Sequence, residues 1–241
     1  MAHITDRHGY NQIYKHDPVN QMRSFRRARG ILDTLPPDAK VVLDVGCGDG
    51  EIAFHLSKLT SARIIGVDSN EDFIASARER KKRHFPNANL DFVIHDVLLP
   101  IDFISQADAV VGNGILHHLY NHLDDFLLNI NTSLRPGGTI AFWEPNLHNP
   151  YVFLCFQLPI LRRLIKLDPN ERAFGASLIT PKLRQAGFFN ISVVPMDFLI
   201  PNTPGFLVSP LTSIGTLLEK IPGARHLAQS LFITATKKAN L

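Results

Sequence analysis

The sequence predicts an α/β fold with a doubly wound, mostly parallel sheet of seven strands. Between residues 41 and 145, short apolar runs alternate with amphipathic stretches, which is the pattern of strand–helix–strand units with right-handed crossovers. The runs are rich in β-branched residues and nearly continuous in apolar content, as parallel strands buried on both faces are. A glycine-rich turn between the first run and the first helical stretch is typical of the same fold class.

Each element has its own local signal. Strand candidates that end in a turn or a polar residue lie at 41–45, 62–68, 90–96, 107–113 and 138–144. Helical stretches lie between them at 51–60, 70–84 and 121–134. Thr180 as N-cap, Pro181 in the first turn and Gly187 at the end predict a helix over 180–187. Two more strand candidates, at 190–196 and 230–237, bring the total to seven.

The chain divides into an N-terminal cap and a main domain. Residues 1–37 are polar and helix-prone, which predicts a helical cap or lid. Residues 38–241 form the main domain, in which 146–177 is a helical insert after the fifth strand. The N-terminus has no apolar signal-peptide core, and no apolar run reaches the roughly 18–20 residues of a membrane span. These features predict a cytoplasmic protein.

Composition excludes several other classes of function. The 241 residues are 45% hydrophobic and 20% charged, which is ordinary for a globular chain. A net charge of +3 is too small to indicate nucleic acid as the main partner. Cys47 and Cys155 have neither the number nor the spacing for a disulfide framework or a structural zinc site. The pair His117 and His118, with Asp96 and Glu144, could suggest a metal site, but nothing in the sequence shows that these side chains converge, and we expect no metal.

The glycine turn reads Asp44-Val45-Gly46-Cys47-Gly48-Asp49-Gly50. Asp68 closes the second strand roughly 20 residues later, the spacing at which a carboxylate reaches ribose hydroxyls in a nucleotide-binding fold. In a dinucleotide fingerprint the last glycine would fall at Glu51. The acidic groups around the turn would repel a pyrophosphate but suit an ammonium or a sulfonium group. The turn therefore favours S-adenosylmethionine over NAD.

Five segments in order, VLDVGCGDG, IIGVDSN, HDVLLP, ILHHL and LRPGGTIAFWEPN, resemble successive motifs of the class I S-adenosylmethionine-dependent methyltransferases. The resemblance covers about residues 38–197. It implies a sheet of order 3-2-1-4-5-7-6 whose seventh strand is antiparallel. It also implies methyl transfer from S-adenosylmethionine, with S-adenosylhomocysteine as product.

The same resemblance assigns cofactor contacts residue by residue. The assigned residues are Asp44, Gly46, Cys47, Gly48, Gly50, Asp68, Ser69, Asp96, Val97, Asn113 and Gly114. Within that set, the glycines lie under the methionine part of the cofactor, and Asp44 holds its ammonium group. Asp68 holds the ribose, Asp96 accepts from the adenine amine, and the backbone at Asn113 lines the methyl-donor end. For Asp44 and Asp68, turn capping is the structural alternative.

Candidate catalytic and acceptor-binding residues follow the fourth and fifth strands. His117 and His118 lie beside the switch point of the sheet and could deprotonate an acceptor hydroxyl, or they could simply pack there. Glu144 and Asn146 could contact the acceptor or build a proline-containing turn. The predicted lid contributes two further acceptor contacts, with surface packing as their alternative. They are Tyr10 and Tyr14.

The insert predicts an acceptor with an apolar portion. Its stretch 150–167 is apolar and ends in a basic cluster, which suits a roof over the acceptor, a homodimer face or peripheral contact with a membrane. The apolar roof candidates are Phe153, Phe156, Leu158 and Phe174. The predicted acceptor is a small molecule or a lipid- or sugar-linked intermediate. Two alternatives remain open: a nicotinamide-dependent oxidoreductase, and a cofactor-binding partner protein without catalysis.

Overall fold

The structure, a computed structural model, describes residues 18–104, 106–200 and 203–239. Tyr10, Tyr14 and the rest of the first half of the predicted cap lie outside these ranges, so the lid stays a prediction. The strands are β1 (Val41–Val45), β2 (Arg63–Asp68), β3 (Leu90–Ile94), β4 (Ala107–Asn113), β5 (Leu134–Pro145), β6 (Phe188–Met196) and β7 (Ser230–Lys237).

The strands form one seven-stranded sheet of order β3-β2-β1-β4-β5-β7-β6. The first five strands pair in parallel, and β7 runs antiparallel to both of its neighbours, β5 and β6. The predicted fold class and strand order are confirmed. Strand order reverses between β1 and β4, so a crevice opens at their carboxyl ends.

Helices cover both faces of this sheet. They are α1 (Pro18–Leu32), α2 (Glu51–Leu59), α3 (Glu71–His84), α4 (Leu123–Ser133), α5 (Pro150–Gln157), α6 (Pro159–Leu164), α7 (Ala176–Gln185), α8 (Gly205–Leu218) and α9 (Pro222–Arg225). Leu43 packs with α4 and α7, whereas its neighbour Val42 packs with α1, α2 and α3. Since successive strand residues point to opposite faces, the two helix groups lie on opposite sides of the sheet. None of the helices in the described ranges has the length and apolar content needed to cross a membrane.

The structure differs from the sequence predictions at three helices, α7, α8 and α9. The helix predicted over 180–187 begins one turn earlier, at Ala176, and contains Pro181 in its interior. Ile179 and Leu183 are both fully buried, and a helix that spans them places both on its core face. Helices α8 and α9, between β6 and β7, were not predicted.

The predicted insert contains two short helices, α5 and α6, joined at Leu158. Asn149 caps α5 because its side chain accepts a hydrogen bond from the backbone N–H of Val152, at 3.0 Å. Val152, Cys155 and Phe156 form a small apolar cluster of their own with Ala173. This cluster holds the insert beside the carboxyl ends of β4 and β5.

Candidate functional site

Two cavities meet at the carboxyl ends of β1 and β4. The first has a volume of about 200 Å³ and lies over the glycine turn. The second has a volume of about 170 Å³ and lies between α1, β5 and α5. Asn113, Gly114 and His118 line both cavities. A ligand in one cavity is therefore adjacent to a ligand in the other.

Most of the predicted cofactor residues line the first cavity. They are Gly46, Cys47, Gly48, Asp68, Ser69, Asp96, Val97, Asn113 and Gly114. Asp68 ties the glycine turn to the end of β2, since its carboxylate accepts from the backbone N–H of Gly48 at 2.9 Å and of Asn70 at 2.8 Å. Burial raises the pKa of Asp68, although those two N–H groups act in the opposite direction.

Gly48 leaves its side of the turn open. Its φ is +53°, and a Cβ added to it would meet nothing within 4 Å. Gly46 has a φ of +63°, and an added Cβ would lie 2.6 Å from the Cδ1 of Ile115. The backbone at Gly46 therefore packs against a residue of the cavity wall, while Gly48 presents bare backbone to the cavity itself.

Asp44 and Gly50 do not line the first cavity. Asp44 is buried beneath the turn, and no described residue donates a hydrogen bond to its Oδ2. Burial raises the pKa of Asp44 to about 8, and the nearby charge of Asp68 adds to the rise, against a hydrogen bond from the backbone of Ala53. Gly50 is the N-cap of α2, and its φ of +87° and close approach to Phe92 give it a structural role.

Cys47 packs as a small apolar group. It belongs to the core cluster on the α1–α3 side of the sheet. Burial raises the pKa of its thiol well above the usual range, and the carboxylates of Asp44, Asp68 and Asp49 raise it further. The thiol is therefore protonated at neutral pH and is not a nucleophile.

Several residues of the first cavity were not predicted as site residues. They are Ser24, Asp49, Glu51, Phe73, His95 and Ile115. Asn70, which the family resemblance places beside the adenosine, also lines this cavity. Asn70 accepts from the backbone N–H groups of Asp72 and Phe73, so it caps α3 and holds Phe73 at the cavity. The asparagine before a helical stretch was the sequence signal for this contact. Ser24 has no such signal, because the docking of α1 depends on residues far along the chain.

The second cavity has one apolar wall and one charged wall. Trp143 of β5 and Tyr151, Val152 and Phe156 of α5 form the apolar wall. The charged and polar wall, which adjoins Trp143, contains Arg23 and Arg27 of α1 together with Gln229 and Ser230 at the start of β7.

Both arginines share one buried carboxylate. Nε of Arg23 lies 3.2 Å and Nη2 of Arg27 lies 3.3 Å from Oδ2 of Asp197. Burial acts to raise the pKa of Asp197, but the charges of these arginines outweigh it and the pKa is lowered. Arg27 also donates from Nη1 to Oδ1 of Asn113, at 2.6 Å. This bond connects α1 to the residue that both cavities share.

Glu144 orients the first of the two predicted histidines. Its side chain is fully buried and accepts from the backbone N–H groups of Ile115, Leu116 and His117, at 2.9, 2.7 and 3.2 Å. Its Oε2 also lies 2.8 Å from Nδ1 of His117. An acidic side chain at the end of β5 thus fixes the turn that follows β4.

Glu171, a residue of the insert that was not predicted, faces both histidines. It is 3% exposed; its Oε1 lies 3.4 Å from Nδ1 of His118, and its Oε2 lies 4.0 Å from Nε2 of His117. Burial acts to raise the pKa of Glu171, but its hydrogen bond with His118 and the nearby imidazoles lower it. No local pattern marks Glu171, because it reaches the histidines only when the insert folds back onto the sheet.

Some predicted acceptor contacts are corrected by the structure. Glu144 and Asn146 line neither cavity; the amide of Asn146 is buried and donates to the backbone oxygens of His226 and Ala228, at 3.0 and 2.8 Å. Of the four aromatic and leucine residues predicted as a roof, only Phe156 lines the second cavity. The other three are either exposed to solvent or buried in the main core; they are Phe153, Leu158 and Phe174. An apolar sequence pattern alone does not distinguish a cavity wall from these two environments.

Comparisons with known proteins agree with this geometry. Residues 37–173 match the family model described as "Methyltransferase domain". Trans-aconitate 2-methyltransferase of Variovorax paradoxus is 30% identical over 123 residues, which are 50% of this chain and 45% of that protein. O-methyltransferase cnsE of Penicillium expansum is 26% identical over 188 residues, 77% of this chain and 66% of that protein.

A solved structure shares the fold over nearly the whole chain. The SAM dependent methyltransferase from Archaeoglobus fulgidus superposes with a TM-score of 0.62 at 20% identity, covering 90% of this chain and 94% of that one. At this identity the likeness shows the fold alone. The chain spans about half the length of the first curated relatives it matches.

Proposed function

The chain belongs to the class I S-adenosylmethionine-dependent methyltransferase family, and on that premise we propose that it transfers a methyl group to a small-molecule acceptor. One observation carries this proposal: the cofactor cavity and the second cavity share Asn113, Gly114 and His118. Displacement at a sulfonium methyl requires donor and acceptor to be aligned and water to be excluded. Two adjoining cavities supply that arrangement.

The residues of the first cavity fit S-adenosylmethionine. The bare backbone at Gly48 gives room for the methionine part, and Asp68 offers a carboxylate to the ribose hydroxyls. Asp96 and Val97 border the place assigned to adenine. Asp44 lies buried beneath the turn with an Oδ2 that no described residue bonds; a nearby ammonium group would favour loss of the proton that its raised pKa retains, and the carboxylate would then be the counter-charge. When bound, the cofactor supplies an electrophilic methyl group that needs no activation by the protein.

The second cavity favours an acceptor with an apolar body and one polar reactive group. The apolar body would lie against Trp143 and Phe156. The reactive group would lie at His117, His118 and Glu171, on the side of the second cavity nearest the cofactor. We assign the activation of that group to this cluster. Relatives named for trans-aconitate and for O-methylation support a small acceptor that is methylated on oxygen.

Exposed apolar and basic residues of the insert suggest a second source of acceptor, a molecule held in a lipid surface. Ile160 and Leu164 of α6 are 75% and 72% exposed, and Arg163 and Lys166 lie beside them. Apolar side chains next to cations are the pattern of helices that lie at the surface of an anionic bilayer. Because α5 also lines the second cavity, a lipid-linked acceptor could pass from the bilayer into that cavity.

Binding of S-adenosylhomocysteine to wild-type protein and to Asp68→Asn tests the cofactor assignment. Loss of a charge-assisted hydrogen bond to ribose is worth roughly 1.5–3 kcal/mol, so the dissociation constant should rise about tenfold or more. Asp91→Asn is the matched control, because Asp91 lies exposed on β3 and pairs with Arg63 outside the cavity. An unchanged constant in Asp68→Asn, or preferential binding of NAD, would refute the assignment.

A turnover assay distinguishes an active methyltransferase from a protein that binds the cofactor without catalysis. Release of S-adenosylhomocysteine in the presence of hydroxyl- and carboxyl-bearing acceptors is the expected result. Tight cofactor binding without release over a broad acceptor panel would favour the cofactor-binding partner protein. Membership in this family already argues against the nicotinamide alternative.

A further inference from the structure

Three potential metal ligands converge on the wall of the second cavity. We propose that His117, His118 and Glu171 bind one divalent transition-metal ion, which holds and activates the acceptor oxygen. The role of the ion rests on the proposed function, whereas its binding does not. The sequence predicted no metal, because nothing local brings Glu171 to the two histidines.

The distances fit a coordination sphere. One ligand atom from each of the three residues lies within 4.8 Å of the others. Nδ1 of His118 lies 3.4 Å from Oε1 of Glu171, and Nε2 of His117 lies 4.0 Å from the other oxygen, Oε2. Nitrogen and oxygen ligands about 2.1 Å from a tetrahedral zinc ion lie about 3.4 Å apart. Side-chain shifts of less than about 1 Å would therefore bring all three onto one ion.

The hydrogen bonds of Glu144 orient the His117 ring so that Nε2, the nitrogen available to a metal ion, faces Glu171. A carboxylate that accepts three backbone N–H groups also accepts from the ring, so Nδ1 of His117 carries the hydrogen. In the neutral ring the lone pair is then on Nε2, which points toward Oε2 of Glu171 at 4.0 Å. A lone pair that faces a carboxylate is repulsive, and either a proton on Nε2 or a metal ion between the two atoms relieves that repulsion. A carboxylate behind a ligating imidazole is also the usual outer contact of a metal site.

The local charge favours a divalent ion. Glu144 and Glu171 have side chains that are 0% and 4% exposed, and in the described part of the chain their ion pairs involve only the two histidines. Two arginines of the insert, Arg162 and Arg172, both donate to the backbone oxygen of Glu171, and their other side-chain hydrogen bonds within the described ranges also go to backbone oxygens rather than to a carboxylate. Two buried negative charges are matched by one doubly charged ion.

The ligand set indicates the class of metal and its role. Two imidazoles and one carboxylate are a set used by catalytic zinc sites, which keep a fourth position open. They suit zinc, cobalt or iron rather than magnesium or calcium, which prefer oxygen ligands. The fourth position would open into the second cavity, because all three ligands line it.

An acceptor hydroxyl at that position would lose its proton to solvent, since a divalent ion lowers the pKa of bound oxygen. The acceptor oxygen then forms a bond to the methyl carbon as the carbon–sulfur bond breaks. The electron pair of that bond stays on sulfur, which becomes a neutral thioether. Charge and atoms balance without an oxidant or a further reactant.

The test is titration of chelator-treated, full-length protein with Zn²⁺ by calorimetry and with Co²⁺ by visible absorption. We expect one ion per chain and the absorption bands of Co²⁺ bound at low coordination number. Glu171→Gln and His118→Asn should each weaken binding more than tenfold, and Glu144→Gln should weaken it 10–100-fold as a positioning residue. Glu79→Gln and His122→Asn, which lie outside the cluster, are the matched controls and should bind as wild type does.

The outcomes separate this site from the proposed function. Glu171→Gln should melt near the wild-type temperature and still bind S-adenosylhomocysteine, because Glu171 does not line the first cavity. Failure of wild-type protein to bind S-adenosylhomocysteine would refute the proposed function but not the metal site. Equal Zn²⁺ affinity in wild type, Glu171→Gln and His118→Asn would refute the site. Full turnover by metal-free protein would refute the role of the ion in methyl transfer and would leave the histidines as a metal-free base.

Discussion

At the scale of single residues, two glycines in the left-handed backbone region allow the effect of backbone strain to be measured apart from the effect on ligand binding. Gly48 and Gly137 have φ values of +53° and +76°, and an added Cβ would meet nothing within 4 Å at either position. Gly48 lines the cofactor cavity, whereas Gly137 lies in β5, outside both cavities. The two positions therefore have the same backbone requirement in different surroundings.

Alanine at either position should destabilise the fold by about 1–2 kcal/mol, because an L side chain is strained in this backbone region. Only Gly48→Ala should also weaken binding of S-adenosylhomocysteine, since its methyl group would occupy the cavity. Urea unfolding and calorimetry on both variants test this. Equal affinity in Gly48→Ala and Gly137→Ala would mean that the ligand does not approach the turn.

Asp44 should make stability depend on pH. Its pKa is raised from the usual 3.8 to about 8 in the folded chain, so the folded state retains a proton that the unfolded state loses. Its stabilising contribution is complete below about pH 4 and is lost as pH rises toward 8, at up to roughly 1.4 kcal/mol per pH unit. Asp44→Asn cannot titrate, so it should gain stability relative to wild type between pH 5 and pH 8 in urea unfolding. If the free energies of unfolding of wild type and Asp44→Asn changed in parallel between pH 5 and pH 8, the raised pKa of Asp44 would be contradicted.

At the scale of elements, α1 is attached to the sheet by a buried ion network. Arg23 and Arg27 pair with Asp197, which follows the end of β6. Removing one partner of a buried pair leaves an uncompensated charge, which typically costs 3–5 kcal/mol. The two arginines also line the second cavity, so the network positions α1 for function as well as for stability.

Asp197→Asn should therefore lower the free energy of unfolding by about 3–5 kcal/mol at pH 7. Because the pKa of Asp197 is lowered in the folded chain, its contribution is present above about pH 4 and is lost as pH falls below that. The difference between variant and wild type should accordingly shrink in acid. Asp124→Asn, in an exposed pair with Lys182, is the control and should cost at most about 1 kcal/mol. Equal effects of the two substitutions would show that the network adds no stability.

Elements were predictable where the signal is local. The bounds of β1, β4 and β7 agree with the sequence prediction. For β1 and β4 the reason is that strands buried on both faces give continuous apolar runs with polar ends, whereas β7 alternates between buried and half-buried residues. The glycine turn and Asp68 were predictable for a similar reason: they follow adjacent parallel strands and meet at one sheet edge. Glu171 and Arg27 were not predictable, since they reach the site only through the docking of the insert and of α1. Glu144 was noticed, but its burial under the β4 turn depends on strand pairing that sequence order does not show.

At the scale of the whole molecule, one face combines exposed apolar side chains with cations. Helix α6 has this combination through Ile160, Leu164 and Arg163, next to the wall of the second cavity. Helix α8 also has exposed apolar residues, such as Phe206, but no basic residue. We therefore expect anionic lipid to be attracted to the α6 face rather than to α8.

The protein should co-sediment with vesicles that contain phosphatidylserine, and less with vesicles of phosphatidylcholine alone. Ile160→Asp and Leu164→Asp should reduce that binding severalfold, because each places a charge where an apolar side chain would enter the bilayer interface. Leu128→Asp is the matched control, since Leu128 is 58% exposed on α4 and outside the α6 face. Wild-type protein that stays in the supernatant, or an equal effect of the control, would contradict this.

The position of β7 also determines the order in which the protein can be completed on the ribosome. β7 is the last strand of the sheet to be synthesised, yet it lies between β5 and β6. A nascent chain can already contain the glycine turn, β1, β2 and β4, while the outer edge of β5 is unpaired and β6 has no partner. Gln229 and Ser230 of the second cavity arrive only with β7. Translation therefore completes the lining of the cofactor cavity, whose last residue is His118, before the lining of the second cavity. A chain interrupted before β7 would expose an apolar strand edge that favours aggregation.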